Sequence, residues 1–164
     1  MSDKKDLKIA LYDAIENSHA GMLSLHGTSE HPQPMSPFLD RDAGKIWFIS
    51  STDTDFVQSL GAGGQAQFTV ISKDRDVHGS VRGRIARVHD TDKLEELWSP
   101  VVGAWFDGGK DDPKVALLCM NMEEAAVWES ESSALMFGWE ILRANMSEDH
   151  KPDVGHFDVL RFAA

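Results

Sequence analysis

The side chains best suited to chemistry in this sequence are the aromatic residues of segment 97–118. Trp98, Trp105 and Phe106 are large apolar groups that proteins seldom leave in water. The glycines, charges and proline of residues 108–113 interrupt any helix or central strand that would carry these rings. We therefore predict a rigid aromatic loop followed by a strand. Such a loop either closes a hydrophobic core or forms the wall of a ligand site, and these residues alone leave both possibilities open.

Other groups that carry out chemistry are sparse. The seven histidines follow no ligand spacing, so we expect no metal site. The single cysteine, Cys119, lies in an apolar run, which is typical of a small buried side chain and not of a reactive thiolate. No nucleophile elbow or pair of carboxylates has a spacing that suits hydrolysis, so a hydrolase is disfavoured.

Composition narrows the class of protein further. The chain has 164 residues, 41% of them hydrophobic, which fits one folded domain. Its formal net charge of −11 disfavours a nucleic-acid partner, because proteins that bind phosphate backbones usually present a basic face. No apolar run approaches the roughly 20 residues that cross a bilayer, and no export signal is visible. We therefore expect a cytoplasmic protein without a membrane partner.

The aromatic loop must be positioned by the elements around it. Apolar residues at helical spacing predict helices over residues 4–18 and 132–146. Gly138 should weaken the second of these by about 1 kcal/mol relative to alanine. Capping residues predict two short helices, one after residues 51–54 and one after Asp90.

Runs of β-branched and aromatic residues predict the strands. They cover residues 22–26, 33–39, 45–50, 66–71, 77–88, 115–120 and 125–129, with 154–162 as a further edge strand. Residues 121–124 are predicted as a turn, and Gly83 as a bulge or a close approach of two backbones. Because closing an antiparallel sheet removes exposed edges, we predict a mainly β fold with short helices, a small barrel of six to seven antiparallel strands.

Several motifs, taken in order, resemble the general stress proteins of the pyridoxamine 5'-phosphate oxidase-like family. They are Gln33-Pro34-Met35, Trp47-Phe48, the capping cluster before Val57, Gly83, Leu97-Trp98, Ala104-Trp105-Phe106, residues 108–113 and Leu117-Leu118. The resemblance covers about residues 7–130. It implies a single split β-barrel domain of the FMN-binding type, with residues 131–164 as a helical and tail extension. It also implies a homodimer with an FMN site at the interface, but not the oxidation of pyridoxamine phosphate.

The resemblance implies a set of cofactor-binding residues as well. An FMN site needs donors for a phosphate dianion and a flat, partly apolar slot for the isoalloxazine ring. The residues expected there are Gln33, Pro34, Met35, Phe48, Ile49, Ser50, Thr52, Thr54, Arg82, Arg84 and Trp105. Trp105 would cover the ring from the partner subunit or only anchor the interface. Arg82 and Arg84 would grip the phosphate or remain solvated strand residues. No catalytic residue can be named.

Two positions depart from the family pattern. Gln33 stands where relatives carry an arginine and Phe56 where they carry a lysine, so both phosphate cations are replaced. Asp53 and Asp55 would also repel a phosphate. Losing two charge-assisted contacts at ~1.5–3 kcal/mol each weakens binding by about two to four powers of ten. Two functions stay open. One is an FMN-binding protein, with or without oxidoreductase activity on an unknown substrate. The other is a dimer that has lost tight FMN binding and binds another ligand or a protein.

Overall fold

The computed structural model describes residues 4–130, 134–146 and 155–163. The elements in this part of the chain are α1 (Lys4–Asn17), β1 (Gly21–Leu25), β2 (Gln33–Met35), β3 (Phe38–Asp40), β4 (Lys45–Ser51), α2 (Asp55–Leu60), β5 (Gly64–Ile71), β6 (Val77–Val88), α3 (Thr91–Leu97), α4 (Pro100–Gly103), a 3₁₀ helix (Gly109–Asp111), β7 (Val115–Ser130), α5 (Ala134–Met146) and β8 (Gly155–Arg161). Within these described ranges, every helix is too short or too polar to span a bilayer.

The strands form one antiparallel sheet that curls on itself. Their order is β2-β1-β5-β6-β7-β4-β3, and β8 pairs with β7. The two strands at the ends of this path, β2 and β3, are separated in the chain only by Ser36 and Pro37. Three steps of about 3.8 Å between Cα atoms reach at most roughly 11 Å, so the sheet must bend until its first and last strands meet. The fold is therefore the predicted split β-barrel, and the split lies between β2 and β3.

The sequence predicted one continuous strand over residues 33–39, and this prediction was wrong. The segment is two strands, because β2 pairs with β1 whereas β3 pairs with β4. The change of partner falls at Ser36 and Pro37, where proline supplies no N–H for a ladder. β3 and β4 form a hairpin, and the predicted strand near the end of the chain is confirmed as β8, which pairs with β7.

The predicted turn at residues 121–124 was also wrong. β7 runs through it without a break for 16 residues. Its first half pairs with β4, its second half with β8, and both halves pair with β6. The register shifts beside Gly83, so Glu123 is skipped in the pairing with β6. The polar residues that resembled a turn belong to β7. Asn121 faces outward, and the bulge at Glu123 follows it.

The core fills the inside of the barrel. Inward residues of the strands, among them Phe48 and Phe68, are fully buried, and α1 adds Leu11 and Ile15. Alternation along the strands sends their neighbours outward, and there α3 covers a smaller cluster formed by Trp47, Leu117 and Cys119. Cys119 is buried as predicted, and that burial raises the pKa of its thiol.

The short helices begin at their predicted caps. The hydroxyl of Thr54 accepts the N–H of Val57 at 3.3 Å, and the carboxylate of Asp90 accepts the N–H of Lys93 at 2.9 Å. Each bond satisfies one of the N–H groups that a helix start leaves without an intrahelical partner. The predicted helix over 132–146 is confirmed as α5, although residues 132 and 133 lie outside the described ranges.

Candidate functional site

A groove of about 370 Å³ opens at the split of the barrel. The residues that line it come from the β2–β3 link, from the end of β4 with the start of α2, and from the segment around α4. They are Pro34, Met35, Ser36, Phe38, Ile49, Ser50, Ser51, Thr54, Val101, Val102, Trp105 and Phe106. Small-molecule sites usually measure about 300–1,000 Å³ and combine apolar walls with a few polar groups, so this groove has the size and lining of a ligand site.

The aromatic wall of the groove is exposed to solvent. Trp105 is 82% exposed and Val101 is 75% exposed in the single chain. The expectation that Trp105 would be withdrawn from water was therefore wrong for the single chain. The predicted loop is also partly helical, since α4 and the 3₁₀ helix fall within it. A tryptophan held this openly beside a groove is available to a ligand or to a second protein surface.

Two contacts hold this wall in place. The rings of Trp98 and Phe106 meet with centroids 5.9 Å apart, a distance typical of paired aromatic rings. The carboxylate of Asp112 accepts the N–H of Gly108 at 3.1 Å and that of Lys114 at 2.9 Å. These two bonds hold the pKa of Asp112 below its usual range. The glycine-rich motif after Phe106 is thus a loop closed by its own aspartate.

The polar wall of the groove carries four hydroxyl groups, three of which already donate hydrogen bonds within the protein. The hydroxyl of Ser36 donates to the carbonyl of His19 at 2.7 Å, and that of Thr54 donates to the carbonyl of Ser51 at 2.8 Å. The hydroxyl of Ser50 lies 3.5 Å from that of Thr54, and Ser51 accepts the N–H of Asp53. Because Thr54 already donates its proton to the carbonyl of Ser51, Ser50 is the donor in its contact with Thr54. Of these four hydroxyl groups, that of Ser51 therefore keeps its proton for a ligand.

Charge near the groove is negative or already neutralised. None of the described residues that line it is lysine or arginine. Asp53 and Asp55 flank Thr54 in the chain, and the carboxylate of Asp53 lies 2.8 Å from the ammonium of Lys114. Hydrogen bonding to Asp53 raises the pKa of Lys114. The ammonium group of Lys114 is thus committed to a carboxylate.

The structure brings together about half of the residues expected at a cofactor site. Those that line the groove are Pro34, Met35, Ile49, Ser50, Thr54 and Trp105. Those outside the lining are Gln33, Phe48, Thr52, Arg82 and Arg84. Phe48 is a core residue, and Thr52 gives its N–H to the carbonyl of Lys114 at 2.8 Å. Arg82 forms an ion pair with Glu124 on the outer face of the sheet, and Arg84 is exposed on that same face.

Phe56 has a different role from the one its position suggested. It is only 1% exposed and packs in the core. A lysine at this position would place its charge among apolar side chains, which is unfavourable unless the charge is paired. The departure from the family pattern at Phe56 is therefore compatible with a core-packing role.

Sequence reasoning missed six of the lining residues: Ser36, Phe38, Ser51, Val101, Val102 and Phe106. Ser36, Ser51 and Phe106 adjoin predicted site residues in the chain, and Phe38 lies in the predicted strand over residues 33–39. The two valines carried no such signal, because an apolar pair beside a proline is common in any helix start.

Comparison with known proteins now decides the family. Residues 6–153 match the family described as pyridoxamine 5'-phosphate oxidase like. The chain belongs to this family. As expected for a pyridoxamine 5'-phosphate oxidase-like protein, the chain has the same fold as solved relatives.

Three solved structures illustrate the likeness of this family member to general stress proteins. A protein assigned as general stress protein 26 of Jannaschia sp. CCS1 is 34% identical, with a TM-score of 0.80, over 96% of this chain and 99% of that one. A general stress family protein of Xanthomonas campestris pv. campestris is 35% identical, with a TM-score of 0.73, over 81% and 93%. The general stress FMN/FAD binding protein of Xanthomonas citri is 33% identical, with a TM-score of 0.73, over 79% and 93%. The comparison with curated proteins found no match.

Metal chemistry has no candidate in the described part of this pyridoxamine 5'-phosphate oxidase-like protein. Its described residues contain no group of three or more histidine, cysteine, aspartate or glutamate side chains placed to hold a metal ion. The groove at the split is the candidate functional site.

Proposed function

We propose that this protein binds a flavin in the groove at the barrel split. The observation that carries the proposal is the position of Trp105, exposed beside a groove whose opposite wall carries hydroxyl groups. A flavin has a planar aromatic ring and a polyhydroxyl chain, so it matches both walls. The Xanthomonas citri relative is described as an FMN/FAD binding protein, which supports the same ligand class here.

The groove fits the two ends of FMN unequally. Apolar groups such as Met35, Phe38 and Trp105 suit the isoalloxazine ring, and the hydroxyl groups of Ser50 and Ser51 suit a ribityl chain. The phosphate lacks a partner, because the described lining has no cation and the flanking residues Asp53 and Asp55 are acidic. The ring and chain of the cofactor therefore fit this site, whereas its phosphate does not.

A bound flavin would supply redox chemistry, so the enzymatic function that follows is an oxidoreductase of unknown substrate acting in a stress response. The cytoplasmic location expected from the sequence stays a prediction. A second candidate function is a family member that has lost tight FMN binding and binds another ligand or a protein. The acidic flank of the groove favours this alternative.

Titration of the purified chain with flavins tests the proposal. Quenching of flavin fluorescence should report saturable binding of riboflavin, of FMN or of both. Trp105→Ala should weaken it roughly tenfold, because aromatic pairing contributes about 0.5–1.5 kcal/mol beyond the area buried. Trp139→Ala is the control, since Trp139 is 55% exposed on α5 and does not line the groove.

Each outcome separates the candidates. Saturable binding that falls with Trp105→Ala and persists with Trp139→Ala supports the flavin site. A chain that binds neither flavin would reject it in favour of the second candidate. Equal affinities in the parent and in the Trp105 variant would remove the groove as the binding site.

A further inference from the structure

Building on the proposed flavin site, we infer that the groove selects a flavin without its 5'-phosphate, so that riboflavin binds in preference to FMN. The inference rests on the donors, the acceptors and the charges around Thr54. It goes beyond the proposed function because it names the chemical form of the ligand.

The hydroxyl groups cannot satisfy a phosphate. Phosphate oxygens accept hydrogen bonds and are best held by charged donors. Among the four hydroxyl groups of the groove, that of Ser51 keeps its proton, because Ser36 and Thr54 donate to backbone carbonyls and Ser50 donates to Thr54. A hydroxyl proton is a neutral donor, so a bond from Ser51 would not neutralise a dianion.

The backbone N–H groups beside the groove are largely engaged as well. Between Thr52 and Val57, four of the six have a partner. They donate to the carbonyl of Lys114, to the hydroxyl of Ser51, to the carbonyl of Ser51 and to the hydroxyl of Thr54. The other two belong to Asp55 and Phe56, next to the carboxylate of Asp55. This turn is therefore occupied in capping α2.

The local charge opposes a phosphate. Asp53 and Asp55 each neighbour Thr54, and consecutive Cα atoms lie about 3.8 Å apart. The screening length is about 10 Å at 0.1 M salt, so charges on residues adjacent to Thr54 act on a phosphate bound at Thr54. Lys114 neutralises Asp53 through its ion pair, which leaves the carboxylate of Asp55 as net negative charge.

A riboflavin chain matches the same groups without these conflicts. Its hydroxyl groups both donate and accept, so they can pair with the serine hydroxyls that line the groove. It carries no charge to be repelled. The aromatic wall acts on the ring of either flavin equally, so the difference between riboflavin and FMN isolates the phosphate.

The test compares the dissociation constants of riboflavin and FMN for the full chain at low and at high salt. We expect riboflavin to bind about tenfold more tightly at low salt, with the difference shrinking as salt screens the carboxylates. FMN binding tenfold more tightly than riboflavin would overturn the inference while leaving the flavin site intact. Absence of binding by both flavins would overturn the proposed function itself, and the inference with it.

Asp53→Asn sharpens the test, because it releases Lys114 from its ion pair. FMN affinity should rise about three- to tenfold relative to riboflavin affinity. The ratio of the two constants is the readout, so a general loss of folding affects both and cancels. Asp42→Asn is the control, since this exposed residue lies in the turn before β4, at the opposite end of that strand from Ser51. An unchanged ratio in Asp53→Asn, or an equal change in Asp42→Asn, would contradict the inference.

Discussion

At the scale of single residues, Asp112 decides how the aromatic wall of the groove is held. Its two carboxylate oxygens accept the N–H groups of Gly108 and Lys114, which closes the loop that follows Phe106. The same bonds hold its pKa below the ordinary value of about 3.9. Because the pKa is lowered in the folded state, this stabilisation is present above the unfolded value and is lost as the pH falls through the folded one.

Asp112→Asn should loosen the loop, because an amide has one acceptor oxygen and cannot accept both N–H groups as a carboxylate does. In the parent, the amide proton shifts of Gly108 and Lys114 should titrate together, with a midpoint below about 3.9. Nuclear magnetic resonance should show that this shared titration vanishes in the variant. Asp111→Asn changes the neighbouring exposed aspartate and should leave the titration intact. A midpoint at the ordinary value, or an unchanged titration in Asp112→Asn, would disprove this role.

At the scale of elements, the bulge between β6 and β7 depends on Gly83. A Cβ atom at this position would lie 1.8 Å from the carbonyl oxygen of Asn121, which is backbone and has little freedom to yield. The sequence prediction of a bulge or a close approach at Gly83 is confirmed by this geometry and by the shift in register.

Gly83→Ala should therefore lower the free energy of unfolding by about 1–3 kcal/mol, the usual range for overpacking a fixed site. Urea unfolding would show this as a lower midpoint at an unchanged slope. Gly64→Ala is the matched control on β5, because its Cβ would meet nothing closer than Leu25 at 4.0 Å. It should be neutral or stabilise by a few tenths of a kcal/mol. Equal midpoints in the two variants would refute the role of Gly83.

The elements also show how far sequence reasoning reaches. Strand composition and capping residues predicted most elements, because these signals are local. The pairing of β2 and β3 with different partners was missed, since it depends on residues far away in the chain. β7 was divided at Asn121 for a related reason: a bulge and a turn both replace alternation with consecutive polar residues.

Sequence reasoning predicted those residues of the candidate site that lie in recognisable motifs. Pro34, Ser50 and Trp105 belong to such motifs, and the fold brings them to one groove. Arg82 and Arg84 suggested a phosphate site through their chemistry alone, but their strand directs them to the outer face of the sheet. Their distance from the groove follows from strand order, which composition does not encode.

At the scale of the whole molecule, the outer face of the sheet presents a row of four residues, three of which are exposed apolar side chains and the fourth a half-buried histidine. Its members lie directly opposite one another on β5, β6, β7 and β8, and they are Ile71, His78, Trp128 and Phe157. Trp128 and Phe157 stack with centroids 5.1 Å apart and are 45% and 56% exposed. Contiguous exposed apolar groups of this kind usually mark an interaction surface.

Two features favour a second copy of the chain as the partner on this face. A neighbouring row carries both charge signs, with Glu124 close to Arg82 and Arg161, so under a two-fold axis it can meet its own copy with opposite charges paired. Pro34 lines both the groove and the depression beside Trp128, so a copy seated on this face would reach the edge of the groove.

We therefore predict a homodimer through this face, with light scattering giving twice the chain mass of 18.2 kDa. Trp128→Ser combined with Phe157→Ser should shift the chain to the monomer mass, because central aromatic anchors often contribute about 2 kcal/mol or more each. Trp139→Ser, at an exposed tryptophan on α5, should leave the dimer intact. If the interface also completes the groove, flavin affinity should fall in the double variant and not in the control. A parent chain at the monomer mass, or a double variant that remains dimeric, would show that this face does not join two copies.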